Sequence, residues 1–144
     1  ESLSIHNTDL HNCLLDLSNL KELSYLDMSV VTLSSSCCDV LGSTLTHCTN
    51  LRILKIHKID LHNCLLDLSN MTGLFDLLLD GVILSGIACS VLELSFNQIK
   101  ALRKNFCNYT IEKSQCDNEK WKFQLHSTYC FHQTETLSCA FKAI

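Results

Sequence analysis

Aliphatic residues return along the chain at gaps of three, two, three and two. Leu23, Leu26, Met28, Val31 and Leu33 form one such run, and Leu51, Leu54, Ile56, Ile59 and Leu61 form the next. Leu74, Leu77, Leu79, Val82 and Leu84 form a third. Cys89, Leu92, Leu94, Asn97 and Ile99 keep the same gaps, and Leu3, Ile5, Thr8 and Leu10 are a partial copy near the start. The two residues separated by a single position, such as Leu26 and Met28, fit a short strand, because alternate side chains leave a strand on the same face. That face predicts a buried side, and the polar residues between them predict a solvent side. An amphipathic helix is the competing reading of Leu20, Leu23 and Leu26 taken alone. Repetition of the run in register favours the strand.

The chain also repeats on a longer scale. The eleven residues from Asp9 to Asn19 recur without change from Asp60 to Asn70, at an offset of 51. The same offset pairs Leu3 with Leu54, Ile5 with Ile56, Leu26 with Leu77, Val31 with Val82 and Leu33 with Leu84. Packing physics does not demand an identical stretch of that length, so the chain carries a duplicated segment. The full runs start at positions 23, 51, 74 and 89, which are 28, 23 and 15 residues apart. The first two intervals are those of a leucine-rich repeat, LxxLxLxxNxL, and the last is too short for one. A deletion between Gly86 and Cys89, or a degenerate final turn, would account for it.

The predicted architecture is therefore a leucine-rich-repeat solenoid over residues 1–102, with about four or five copies, one of them partial. A short parallel sheet is expected on its concave face, with irregular or helical segments on the convex one. One such repeat cannot close its own core, and stacked neighbours bury each other's open faces. Val31, Ile59 and Val82 stand where the repeat has asparagine. Each substitution removes side-chain hydrogen bonding at a turn, at a cost of about 1 kcal/mol.

Two stretches resemble a particular family. Leu17-Ser-Asn-Leu-Lys-Glu-Leu23 leads through Val31-Thr-Leu-Ser-Ser-Ser36 and Cys37-Cys-Asp-Val-Leu41 to Asn50-Leu-Arg-Ile-Leu-Lys-Ile56. Leu78-Leu-Asp-Gly-Val-Ile-Leu-Ser-Gly86 repeats part of the phrase. This is similar to the plant leucine-rich-repeat receptor-like proteins of the Verticillium-wilt and leaf-mould resistance type, over about residues 1–100. The sequence departs from them where Ser85-Gly-Ile-Ala88 breaks off without the proline of LxGxIP, and where Cys37 replaces the tryptophan before the cysteine. The resemblance implies a piece of an extracellular or plasma-membrane ectodomain that recognises a pathogen-derived or endogenous protein or peptide. In the full-length family architecture a co-receptor kinase is a possible partner. An intracellular leucine-rich-repeat scaffold or immune-receptor interaction region in the cytoplasm is the alternative.

Composition narrows the classes. Hydrophobic residues make up 47% and aromatics 7%, so the core must be aliphatic. The net charge of −4 gives nucleic acid no basic face to meet. No apolar run approaches the roughly 18 residues of a membrane helix. The chain opens at Glu1 inside a repeat, without a signal peptide, and reads as a piece of something longer. Ten cysteines fit disulfides in an extracellular protein or small buried hydrophobes in a cytosolic one. The sequons Asn70-Met-Thr72 and Asn108-Tyr-Thr110 add glycosylation candidates.

By the strand register, the concave face offers Tyr25 and Asp27, then Arg52, Lys55 and His57, then Phe75, Asp76 and Asp80, and last Glu93 and Phe96. These are the candidate ligand contacts, with the aromatics as anchors and the charges setting register. Simple cross-strand pairing that stabilises the sheet is the competing reading. From Arg103 the repeat stops, and residues 103–144 are either a cysteine-containing C-terminal cap or a poorly ordered, irregular tail. Cys107, Cys116, Cys130 and His132 lack the spacing of a zinc site. His11 and His62 are one duplicated position and are expected at the surface or in turns. No Gly-rich phosphate loop, HExxH or GxSxG is present. Neither an enzyme, a cofactor nor a metal is expected.

Overall fold

The computed structural model describes the backbone of residues 1–102, 106–117 and 120–129, and the side chains of residues 1–99. Four parallel strands, β1 (Ser2–Leu10), β2 (Tyr25–Leu33), β3 (Ile53–His57) and β4 (Asp76–Ser85), lie side by side in chain order. Helix α1 (Ser35–Leu45) connects β2 to β3, and helix α2 (Gly86–Leu102) follows β4. Turns without a helix connect β1 to β2 and β3 to β4. Strands β5 (Phe106–Asp117) and β6 (Lys120–Tyr129) complete the sheet, with β6 antiparallel to β4, in the order β1-β2-β3-β4-β6-β5.

The register of the parallel strands follows the aliphatic spacing. Leu3, Leu26, Leu54 and Leu77 are successive partners, and so are Ile5, Met28, Ile56 and Leu79. Except for Leu3 and Ile5 on the edge strand, all of these are essentially without solvent exposure. Each fully buried Leu or Ile contributes roughly 1.5–3 kcal/mol relative to an exposed one. Val31, Ile59 and Val82, at the position where the repeat has asparagine, extend the same interior.

Each strand bends at the residue before that position. Asn7, Val30, Lys58 and Gly81 all have positive φ, at 49°, 52°, 50° and 63°. At the bend and after it, the chain following β3 stays on β4: Lys58 N donates to the Asp80 carbonyl at 2.7 Å, and Leu61 N donates to the Ile83 carbonyl at 2.8 Å. Three of the four bends use a residue with a Cβ, where this conformation is strained.

The 51-residue duplication is visible at the level of single hydrogen bonds. Ser34 Oγ accepts from Cys37 N at 3.2 Å to cap α1, and Ser85 Oγ accepts from Ala88 N at 3.1 Å to cap α2. A serine at this position satisfies one of the first free N–H groups of a helix. Asp9 and Asp60 accept from the backbone N–H of His11 and His62, each at 2.9 Å, and Asp16 and Asp67 accept from Ser18 N and Ser69 N at 2.9 and 3.0 Å.

The expected run of strand over Cys89–Ile99 is corrected: these residues lie in α2, the second copy of α1. Cys89, Leu92, Phe96 and Ile99 point to the core at helical spacing, whereas Leu94, expected inside, is 65% exposed. The short 15-residue interval thus marks a helix placed where the previous unit also has one, not a shortened repeat.

Candidate binding face

The solvent side of the parallel strands carries three rungs. Ser2, Tyr25, Ile53 and Asp76 are successive partners, then Ser4, Asp27, Lys55 and Leu78, then His6, Ser29, His57 and Asp80. The strand pleat puts them opposite the aliphatic ladders, so the periodicity that buries Leu26 and Met28 also exposes Tyr25 and Asp27. On β2, β3 and β4 these side chains are half-buried, standing in a closely spaced row, and on the edge strand β1 they are exposed.

Their chemistry is cross-linked. Asp27 faces Lys55 directly, an opposite-charge pair that favours this register. Lys55 Nζ lies over the Tyr25 ring, 5.7 Å from its centre, within cation–π range. Tyr25 Oη donates to Asp27 Oδ2 at 3.1 Å. Partial burial, then the bond to Asp27 and the nearby charges of Asp27 and Asp76, push the Tyr25 phenol above its usual range. His57 Nδ1 approaches Asp80 Oδ2 at 3.9 Å, and His6 Nδ1 shares a hydrogen bond with Ser29 Oγ at 2.8 Å. Asp27 Oδ1 is buried and has no hydrogen-bond partner among the described residues.

Arg52 and Phe75 stand at the strand entrances. Arg52 N donates to the Ser24 carbonyl and Phe75 N to the Arg52 carbonyl, both at 2.9 Å. They form the start of a rung that also holds Ser24 and Glu1. Tyr25, Asp27, Arg52, Lys55, His57, Phe75, Asp76 and Asp80 therefore occupy one contiguous stretch of the sheet. Glu93 and Phe96 do not join it. Both belong to α2, and Phe96 is a core residue with 1% exposure, so its expected place as an exposed anchor is corrected. Ser2, Ser4, His6, Ser29, Ile53 and Leu78 complete the face, and the strand register alone assigns them to it.

The remaining candidates lie elsewhere. Asn70 is exposed in the turn that leads to β4. Asn108 belongs to β5, where the pairing with β6 shifts between Cys107 and Tyr109. Cys107 and Cys116 also belong to β5, whereas Cys130, His132 and Cys139 lie outside the described residues. Cys13, Cys37, Cys38, Cys48 and Cys64 are free thiols, all but Cys13 buried, and Cys89 is buried as well. Among the described residues, no group of three or more His, Cys, Asp or Glu side chains is placed to hold a metal ion, and no helix is long and apolar enough to cross a membrane.

His62 is more than a turn residue. It lines a cavity of about 420 Å³ between the end of β2 and the segment after β3, together with Val30, Cys38, Lys58, Asp60 and Asn63. Its Nδ1 is buried without a hydrogen-bond partner among the described residues. No family model, curated protein or solved structure matches the chain.

Proposed function

We propose that the chain is a leucine-rich-repeat binding module, a piece of a plant cell-surface immune receptor-like protein that recognises a protein or peptide ligand on its open sheet face. The observation that carries this reading is the in-register row of Tyr25, Asp27, Lys55, His57, Asp76 and Asp80 on one side of four parallel strands whose other side is a closed aliphatic core. The same pairs support the sheet, and their half-buried side chains leave an aromatic and alternating charges within reach of a partner. An extended peptide supplies the matching groups: charged side chains to pair along the row and apolar ones to pack against Tyr25 and Phe75.

The test is selection of displayed peptides on the immobilised chain, followed by affinity measurements on the enriched peptides. Tyr25→Ala combined with Phe75→Ala is expected to weaken them by roughly tenfold or more, in a chain that still melts cooperatively well above the assay temperature. Unchanged affinity removes this face from the binding reaction.

The second reading, an intracellular interaction region, is favoured by the packing of Cys37, Cys38, Cys48, Cys64 and Cys89 as small apolar core groups. Expression through a secretory pathway separates the two. Glycan at Asn70 and Asn108 with a folded product supports the receptor-like reading, and misfolding on secretion with a soluble cytoplasmic product supports the other.

A further inference from the structure

We propose that Cys38 and Cys64 form a redox-active thiol pair that exchanges with a small-molecule disulfide and closes to an internal disulfide, clamping α1 to the turn after β3. Cys38 lies in the first turns of α1 and Cys64 in the turn that follows Leu61, 26 positions later in the chain. Stacking of successive units brings them together. Cys64 Sγ donates to the Cys38 carbonyl at 3.2 Å, which seats it directly against Cys38. The close approach is built in by Gly42, one helical turn beyond Cys38. A Cβ there would stand 2.8 Å from the Leu65 carbonyl and 3.6 Å from Cys64 Sγ.

Buried thiols are ordinarily inert, because the thiolate is the nucleophile and an apolar interior suppresses it. Cys48 is such a thiol. It is fully buried, its Sγ faces only the Leu17 and Thr44 carbonyls at 3.8 and 3.9 Å, and burial pushes its ionisation up. Cys38 differs in two respects. It lines the 420 Å³ cavity and a second one of about 280 Å³ with Asp39, Gly42 and Leu65, which give a small molecule a route to its sulfur. The neighbouring Cys64 thiol holds the Cys38 thiol below its ordinary range, against burial and the charges of Asp60 and Asp39. Cys64, as donor and as a buried group, is pushed up. Cys38, which lines both cavities where Cys64 lines neither, is thus the attacking sulfur and Cys64 the resolving one.

The exchange balances without any further reagent. The Cys38 thiolate attacks one sulfur of a disulfide RSSR, its S–S bond breaks, and RS⁻ leaves and takes up the proton that Cys38 released. Cys64, once deprotonated, attacks the Cys38 sulfur of the mixed disulfide and expels the second RSH. The two protein thiols lose two electrons and two protons, and RSSR becomes two RSH.

The test uses the full chain with oxidised glutathione, followed by alkylation, combined tryptic and Asp-specific digestion under non-reducing conditions, and mass spectrometry. A cross-linked Cys38–Cys64 peptide, about 2 Da lighter than the two reduced peptides together, is expected. Cys48 is expected to remain alkylatable after unfolding. Cys37→Ser retains the cross-link and Cys38→Ser abolishes it, and Cys64→Ala leaves one glutathione on Cys38. Cys38 recovered fully alkylated from the oxidised wild-type chain, a link through Cys37, or Cys48 oxidised as fast as Cys38 would each overturn the assignment. Should a variant fail to fold, the wild-type peptide map alone decides.

Discussion

Val30 and Gly81 occupy the same left-handed position in two copies of one unit, at φ 52° and 63°. Gly81 takes this conformation freely, whereas Val30 is β-branched and strained there, by about 1–3 kcal/mol. Val30 is 50% exposed, so its side chain contributes little to the core. Val30→Gly gives back about 0.5–1 kcal/mol of that gain through the greater freedom of the unfolded chain. The net expectation is a chain more stable by about 1 kcal/mol, seen as a higher denaturation midpoint with an unchanged slope. Gly81→Val is expected to move the midpoint the other way.

Gly42 tests the packing of α1 on the next turn. In a solvent-exposed helix, alanine in place of glycine stabilises by roughly 0.5–1 kcal/mol. Here the new Cβ meets the Leu65 carbonyl at 2.8 Å, a backbone atom that cannot swing aside as a side chain could. Overpacking of this kind costs about 1–3 kcal/mol, so Gly42→Ala is expected to destabilise. A rise in the melting temperature would show that the turn at residues 64 and 65 is free to retreat.

Thr44 and Ser95 are also related by the 51-residue offset, and both are buried hydroxyls on the inner face of a helix. Thr44 Oγ1 donates to the Val40 carbonyl at 2.8 Å and accepts from Leu17 N at 3.2 Å. Thr44→Val keeps the shape and leaves the Leu17 N–H without its acceptor, at an expected cost of about 1–3 kcal/mol. Ser95 Oγ lies 2.9 Å from the Val91 carbonyl and 3.0 Å from Asp67 Oδ1, and its single proton serves one at a time. Ser95→Ala is expected to cost less, because Asp67 keeps the Ser69 bonds. Equal losses in the two variants would contradict this difference.

Asp67 gives the fold an acid-sensitive element. Hydrogen bonds from Ser69, assisted by one from Ser95, hold its carboxyl below the usual range. A group depressed in the folded state contributes stability above its unfolded pKa of about 4 and loses that contribution as the pH falls through the folded value. Stability is therefore expected to be level in this respect between pH 7 and 5 and to fall below pH 4. Asp67→Asn should flatten that part of the curve in a pH series of denaturant melts.

The rungs Leu26, Leu54 and Leu77 could be read directly from spacing, because a strand that buries one face leaves a period of two in the sequence. The outward row from Tyr25 to Asp80 follows from the same period. Helix α2 was not legible by that route, since Cys89, Leu92 and Ile99 satisfy the repeat gaps and a helical face equally well. The deciding signal was the offset: Ser85 repeats Ser34, and Val91 and Leu92 repeat Val40 and Leu41, so residues 86–96 had to repeat a segment the repeat template assigns to the connection and not to a strand. Phe96 then turns inward by helical geometry, and Leu94 outward. The meeting of Cys38 with Cys64 was hidden for a different reason. It is set by how one coil of chain lies on the next, which leaves no mark in the spacing of either residue.

The identical phrases at Asp9–Asn19 and Asp60–Asn70 enter and leave the sheet through equivalent turns. Excising the stretch from Ser18 to Leu68 would rejoin Leu17 to Ser69 and restore the same eleven-residue phrase, with β1 followed directly by β4 and its helix. Genes for such a chain can lengthen or shorten by whole units through recombination between the two copies, and every splice yields a polypeptide whose neighbouring coils still fit. A sheet face assembled this way changes its span and its chemistry in one step while its interior keeps the same seams.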